Sequence, residues 1–255
     1  MVGEPDRSGS PTTAGVVPRA WERRRHRTGQ PAGDGPRKAW GAAWILAVMR
    51  IDFEPEALGR TPFYKLLTSV IVPRPIAWVS TLSGEGVANL APHSFFTVAC
   101  VEPPVVQFTS VGRKDSLRNA EETGEFVVNL APEHLFEQVN ATGTDFPPGV
   151  SEFEAVGIAR EPSLRVKPPR VAASPVALEC ELHSTTRLGD STVVFGTVVH
   201  AAVSKEVIVE GHPEVTKLRP LARLGKNEWS SMGEILEIER IRYADWQDGA
   251  RLTPG

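Results

Sequence analysis

The residues able to do chemistry concentrate between positions 73 and 116 of this 255-residue chain. Pro73-Arg74-Pro75 leads into Ile76-Ala77-Trp78-Val79-Ser80-Thr81. Asn89-Leu90-Ala91-Pro92-His93-Ser94-Phe95-Phe96 follows, and then Ser110, Arg113 and Lys114-Asp115-Ser116-Leu117-Arg118-Asn119. Arg74 and Lys114 offer positive charge, and Ser80, Thr81, Ser94 and Ser116 offer hydroxyl donors. A helix starting at Asp115 or Ser116 would add free N–H groups suited to an anion. Proline steps hold the backbone extended, so peptide groups can face a flat heterocycle instead of a ladder partner. The chemistry expected of this set is recognition of a planar, anionic ligand.

The elements that must position these residues read mainly as strand. Val70–Val72, Ile76–Leu82, Val87–Ala99, Val105–Ser110 and Phe126–Leu130 are short runs rich in Val, Ile, Phe and Thr. Ser83-Gly84-Glu85-Gly86 connects two of them as a hairpin. Its partial match to a GxGxxG loop lies between strands and carries no nucleotide signal. Val176, Leu178, Cys180 and Leu182 alternate with Ala177, Glu179, Glu181 and His183, the period of a half-buried strand with Cys180 facing the core. Thr192–Ser204 and Glu234–Arg240 are expected to add further strands. Two helices are expected, one from Asp115/Ser116 to Glu122 with Gly124 as its stop, the other opened by Pro132 and running to about Asn140. Residues 143–170, with five prolines, read mostly as loop. Many short strands with few outer helices predict a mainly β, closed or Greek-key barrel.

Composition narrows the alternatives. Net charge is −3 with a pI near 6.1, giving no global field for nucleic acid. The longest apolar run, residues 39–49, is too short to span a bilayer, so no membrane partner is expected. Cys100 and Cys180 are the only cysteines, and the histidines lack ligand spacing, so neither a disulfide scaffold nor a metal site is expected. Phosphate-loop, GxSxG and HExxH motifs are absent. Residues 1–48 carry net +4 with many Gly and Pro and no hydrophobic period, predicting a disordered extension, with Met49 a candidate natural start. The expected domain runs over 49–243, followed by a flexible tail over 244–255.

Taken together, Pro73–Thr81, Asn89–Phe96, Lys114–Asn119, Gly124–Leu130 and Arg219–Gly225 resemble the flavin reductase-like family of FMN-binding split β-barrels over roughly Met49 to Ile241. The resemblance implies a split-barrel homodimer with FMN near the subunit interface and NAD(P)H as a transient co-substrate. It implies an FMN site built from Arg74, Pro75, Trp78, Val79, Ser80 and Thr81, with Asn89, Ala91, Pro92, His93, Ser94 and Phe95. Ser110, Arg113, Lys114, Asp115 and Ser116 complete it, with Arg74, Lys114 and Ser116 at the phosphate. His93 is the candidate for tuning the ring by stabilising negative charge. The implied activity is cytoplasmic NAD(P)H:flavin oxidoreduction, feeding reduced flavin to a partner monooxygenase. A flavoredoxin-like FMN electron carrier and a non-enzymatic flavin- or haem-binding barrel are the alternatives. Lys226-Asn227-Glu228-Trp229 departs from the Gly/Tyr-rich segment of many relatives, so the pocket rim there is expected to differ.

Overall fold

The structure is a computed structural model that describes residues 50–243 and Trp246. The expectations for residues 1–48 and most of 244–255 lie outside the described residues. Seven strands form one antiparallel sheet: β1 (Ala77–Leu82), β2 (Ala88–His93), β3 (Phe96–Cys100), β4 (Val105–Val111), β5 (Glu125–Leu130), β6 (Val176–Leu188) and β7 (Ser191–Val203). Their spatial order is β2-β1-β5-β6-β7-β4-β3. β2 and β3 are therefore the two edges of the sheet, yet only Ser94 and Phe95 separate them in sequence. The three steps from His93 to Phe96 span no more than about 11 Å, so the sheet must curl until its edges nearly meet. That closure, incomplete at the β2–β3 seam, is the split barrel.

Period-2 alternation sorts the side chains. Ala77 and Val79 of β1 point into the barrel with Val106, Phe108, Phe126, Val128, Cys180 and Val194. Trp78 points the other way, into a second core with Leu90, Val139, Phe153 and Leu221. Helix α1 (Arg60–Val70) precedes the sheet, and α2 (Asp115–Thr123) closes one barrel end by burying Leu117 and Ala120. Gly124, at φ 74°, stops α2 in the left-handed conformation that glycine tolerates. The short helices α3 (Phe136–Ala141) and α4 (Glu152–Val156) supply Val139 and Phe153 to the outer core.

Several expectations are corrected. Val70–Val72 is not a strand: Val70 ends α1, and all three residues are exposed. Phe63, Leu66, Leu67 and Val70 of α1 recur at helical spacing, yet no residue of this helix is buried. The run 87–99 divides at Ser94-Phe95 into two strands. Helix α2 has Lys114 at its cap position with no side-chain cap; Asp115 lies one residue inside and pairs with Arg118 at 2.8 Å. Pro132 sits just before a short 3₁₀ turn (Glu133–Leu135) that leads into α3. Glu234–Arg240 has no regular structure and pairs with none of the described strands. Glu179, expected on the solvent side of β6, is fully buried.

Candidate functional site

A cavity of about 280 Å³ opens at the β2–β3 seam. Its volume falls near the lower end for small-molecule sites. Asn89, Ala91, Pro92, His93, Ser94 and Phe95 form one wall, with Thr109 and Val111 of β4 alongside. Lys114, Asp115 and Ser116 bring the start of α2 to the same space, and Tyr64 of α1 borders it. The first N–H groups of a helix have no intrahelical carbonyl, so α2 presents donors here. Thr142, Gly143, Thr144, Asp145, Phe146 and Glu152 complete the lining.

His93 lies where the cavity meets the barrel core, its ring 4.7 Å from that of Phe108. Burial pushes its pKa down to about 4, only partly opposed by a hydrogen bond with the Thr109 backbone. The imidazole is therefore neutral at neutral pH, and its buried Nε2 has no partner. In this fold His93 is a neutral base with an unpartnered Nε2.

Beneath the cavity runs a buried polar chain. Glu152 accepts the Leu90 N–H at 2.9 Å and the Asn89 side-chain amide at 2.8 Å. Asn89 Oδ1 accepts from Ser116 Oγ at 3.1 Å and Thr81 Oγ1 at 3.3 Å, and Thr81 accepts from Asn119 at 3.1 Å. Burial raises the Glu152 pKa against these donors, and nearby Asp115 raises it further. Lys114 is the cation among the lining residues; its Nζ sits 3.1 Å from Asp145, with both side chains largely exposed.

Other residues singled out in the sequence lie outside this lining. Both Nη atoms of Arg74 donate to backbone carbonyls, of Thr68, of Ile71 at 2.8 Å and of Leu224 at 2.7 Å; Nε is buried without a partner. The guanidinium thus clamps the end of α1 to the Leu224 loop, outside the cavity lining. Pro75 pairs with Ala222 in a short strand contact. Val79 is barrel core, and Ser80 donates to the Pro169 carbonyl. Ser110 donates to Gly112 at 2.9 Å, and Arg113 pairs with Glu121 at 2.6 Å. Trp78 acts at one remove: its Nε1 donates to Thr142 Oγ1 at 2.9 Å, anchoring the loop that forms the far wall. Residues 142–146 and Glu152 escaped the sequence reading because they sit in or beside the proline-rich stretch, where no hydrophobic period marks them.

The residues present fit a flavin. Pro92, Phe95 and Phe146 give flat apolar surface, His93 Nε2 gives an acceptor for a ring N–H, and Lys114 with the α2 start gives positive potential for a phosphate. Among the described residues no group of three or more His, Cys, Asp or Glu is placed to hold a metal ion, and no helix is long and apolar enough to cross a membrane.

The flavin reductase like domain profile matches residues 69–215. Nitrilotriacetate monooxygenase component B from Bacillus cereus is 31% identical, with a TM-score of 0.71 over 74% of this chain and 99% of its own. The 2-nitrobenzoate 2-nitroreductase of Pseudomonas fluorescens is 31% identical, with a TM-score of 0.71 over 76% and 98%. A Shewanella frigidimarina protein with a split barrel domain shares the fold at 19% identity, TM-score 0.68, over 75% and 100%. With its profile spanning more than half the sequence and its seam cavity built from the motif residues, this chain belongs to the flavin reductase-like family.

Proposed function

We propose that this chain binds FMN in the seam cavity and passes hydride from NAD(P)H to it, delivering reduced flavin to a monooxygenase. The observation that carries the reading is the pairing of a buried, unpartnered His93 Nε2 with Lys114 and the α2 start in one cavity. Together they suit a heterocycle with an N–H edge and an anionic tail. FMN would supply the two-electron chemistry at its ring. The chain's own residues bind, orient and shield: Pro92, Phe95 and Phe146 exclude water from the ring, His93 fixes its edge, and Lys114 holds the phosphate. No cavity side chain is needed as a proton donor, and the neutral His93 leaves the reduced ring's charge to the backbone donors around it. Nicotinamide would dock transiently on the open side of the cavity. We further propose that the working form is a homodimer, supported by the exposed apolar arm at 235–241.

The test is aerobic consumption of NADH and NADPH by purified protein, with and without added FMN. Turnover that rises with FMN supports the reading. Flavin binding with no oxidation of either nucleotide, but reduction by a carrier protein, would replace it with an electron-carrier role.

A further inference from the structure

We propose that Glu152 sets the hydrogen-bond polarity of the cavity wall, so that the Ser116 hydroxyl meets a bound flavin as an acceptor and not as a donor. The inference rests on the flavin reading and deepens it.

A carboxylate has lone pairs and no proton to give. Its Oε2 takes the Leu90 N–H, a backbone donor that cannot turn away, and its Oε1 takes the Asn89 amide. If the Asn89 amide were turned over, its oxygen would face Glu152 Oε1 with no proton between them, both side chains being buried. Asn89 Oδ1 is therefore fixed toward α2, where Ser116 and Thr81 donate to it. Ser116 has one hydroxyl proton, and it is spent on Asn89. What Ser116 can offer the cavity is lone pairs, as His93 Nε2 does. Two acceptors match the imide N–H or the ribityl hydroxyls of a flavin. A phosphate dianion, itself all lone pairs, matches neither, and is left to Lys114 and the backbone N–H groups of α2.

The test is Glu152→Gln. The Leu90 N–H still demands an acceptor and takes the glutamine oxygen, so the glutamine NH₂ faces Asn89 and turns its amide over. Asn89 then donates toward Ser116 and Thr81, the Ser116 proton is released to the cavity, and the presently unpartnered Asn119 Oδ1 becomes available to Thr81 after a small rotation. Two measurements read this out. By NMR without ligand, the Asn89 side-chain amide protons should show NOEs to the Glu152 side chain in wild type, and to Thr81 and Ser116 in E152Q. By titration, E152Q should weaken riboflavin and FMN alike, roughly 10- to 100-fold, leaving their ratio unchanged. Ser116→Ala should weaken both flavins in the wild-type background and add nothing in E152Q.

Unchanged riboflavin affinity in Ser116→Ala, or a loss confined to FMN, overturns the proposal, and if E152Q does not fold the wild-type NOEs of the Asn89 amide decide the polarity. Wild-type protein that binds neither flavin overturns the reading beneath it, whereas the NOE pattern independently upholds or overturns the polarity assigned to Asn89.

Discussion

At the scale of the residue, the cavity contrasts one buried neutral base with one exposed cation. His93 is neutral in the fold, while the unfolded chain takes up its proton near pH 6.5. A depressed pKa means that this stability is fully present above pH 6.5 and is lost as the pH falls toward about 4, a total of about 3 kcal/mol. His93→Gln keeps an acceptor and removes the titration. Denaturant melts at pH 7 and pH 4.5 should show a smaller acid-induced loss in the variant than in wild type. Lys114 is held only by an exposed ion pair with Asp145, which contributes little in water, so it is free to turn to a phosphate. Lys114→Ala should weaken FMN roughly 10-fold or more and leave riboflavin unaffected. Asp145→Asn should shift the FMN-to-riboflavin ratio the opposite way. Isothermal titration of both ligands checks all four numbers. Arg74→Ala is expected to lower the melting temperature without a phosphate-specific effect, because its guanidinium is spent on carbonyls.

At the scale of the element, a buried charge pair fastens the long 160–171 connection onto β6. Glu179 accepts from the Leu164 N–H at 3.0 Å, the Arg165 N–H and the Arg170 guanidinium, whose Nε lies at 2.8 Å. Burial by itself would raise the Glu179 pKa, but those donors outweigh it and hold it below the usual carboxylate range. Removing one partner of such a pair strands the other charge, so Glu179→Ala should cost about 3–5 kcal/mol in urea unfolding. A nearby limit is Gly196 in β7, beside the bulge at Phe195/Gly196. A Cβ there would run into the Phe126 ring and the Cys180 side chain, both barrel core. Gly196→Ala should destabilise by about 1–3 kcal/mol through overpacking, read in the same melts. Cys180 itself is inert: burial pushes its thiol up to about 12.

At the scale of the whole molecule, the arm at 235–241 leaves apolar side chains in solvent, with Leu236 85% and Ile238 87% exposed. Exposed apolar side chains gathered in one segment, here between Glu237, Glu239 and Arg240, suit an interaction surface. A second copy of the chain is the occupant proposed above. Light scattering should report a mass near twice 27.7 kDa, and Leu236→Glu with Ile238→Glu should shift it toward the monomer. A monomeric wild type that still binds FMN fully would remove the dimer from the proposal.

The sequence by itself determined most of the strands, because short runs rich in Val, Ile, Phe and Thr, and the alternation over 176–183, are local; β1, β4, β5, β6 and β7 stand close to where these signals put them. It determined the family motifs and the wall from Asn89 to Phe95 with Lys114 to Ser116, since these residues are adjacent in the chain. The tertiary structure alone decided which polar groups share a space. Arg74 and Lys114 look equivalent as sequence, yet one is consumed by carbonyls brought from α1 and the Leu224 loop, and the other reaches the cavity. Residues 142–146 and Glu152, at the start of α4, come from a stretch with no hydrophobic period and are carried there by Trp78, Phe153 and the outer core. Hydrogen-bond polarity is likewise a property of the assembled chain, because Ser116 is a donor or an acceptor according to a carboxylate thirty-six positions away.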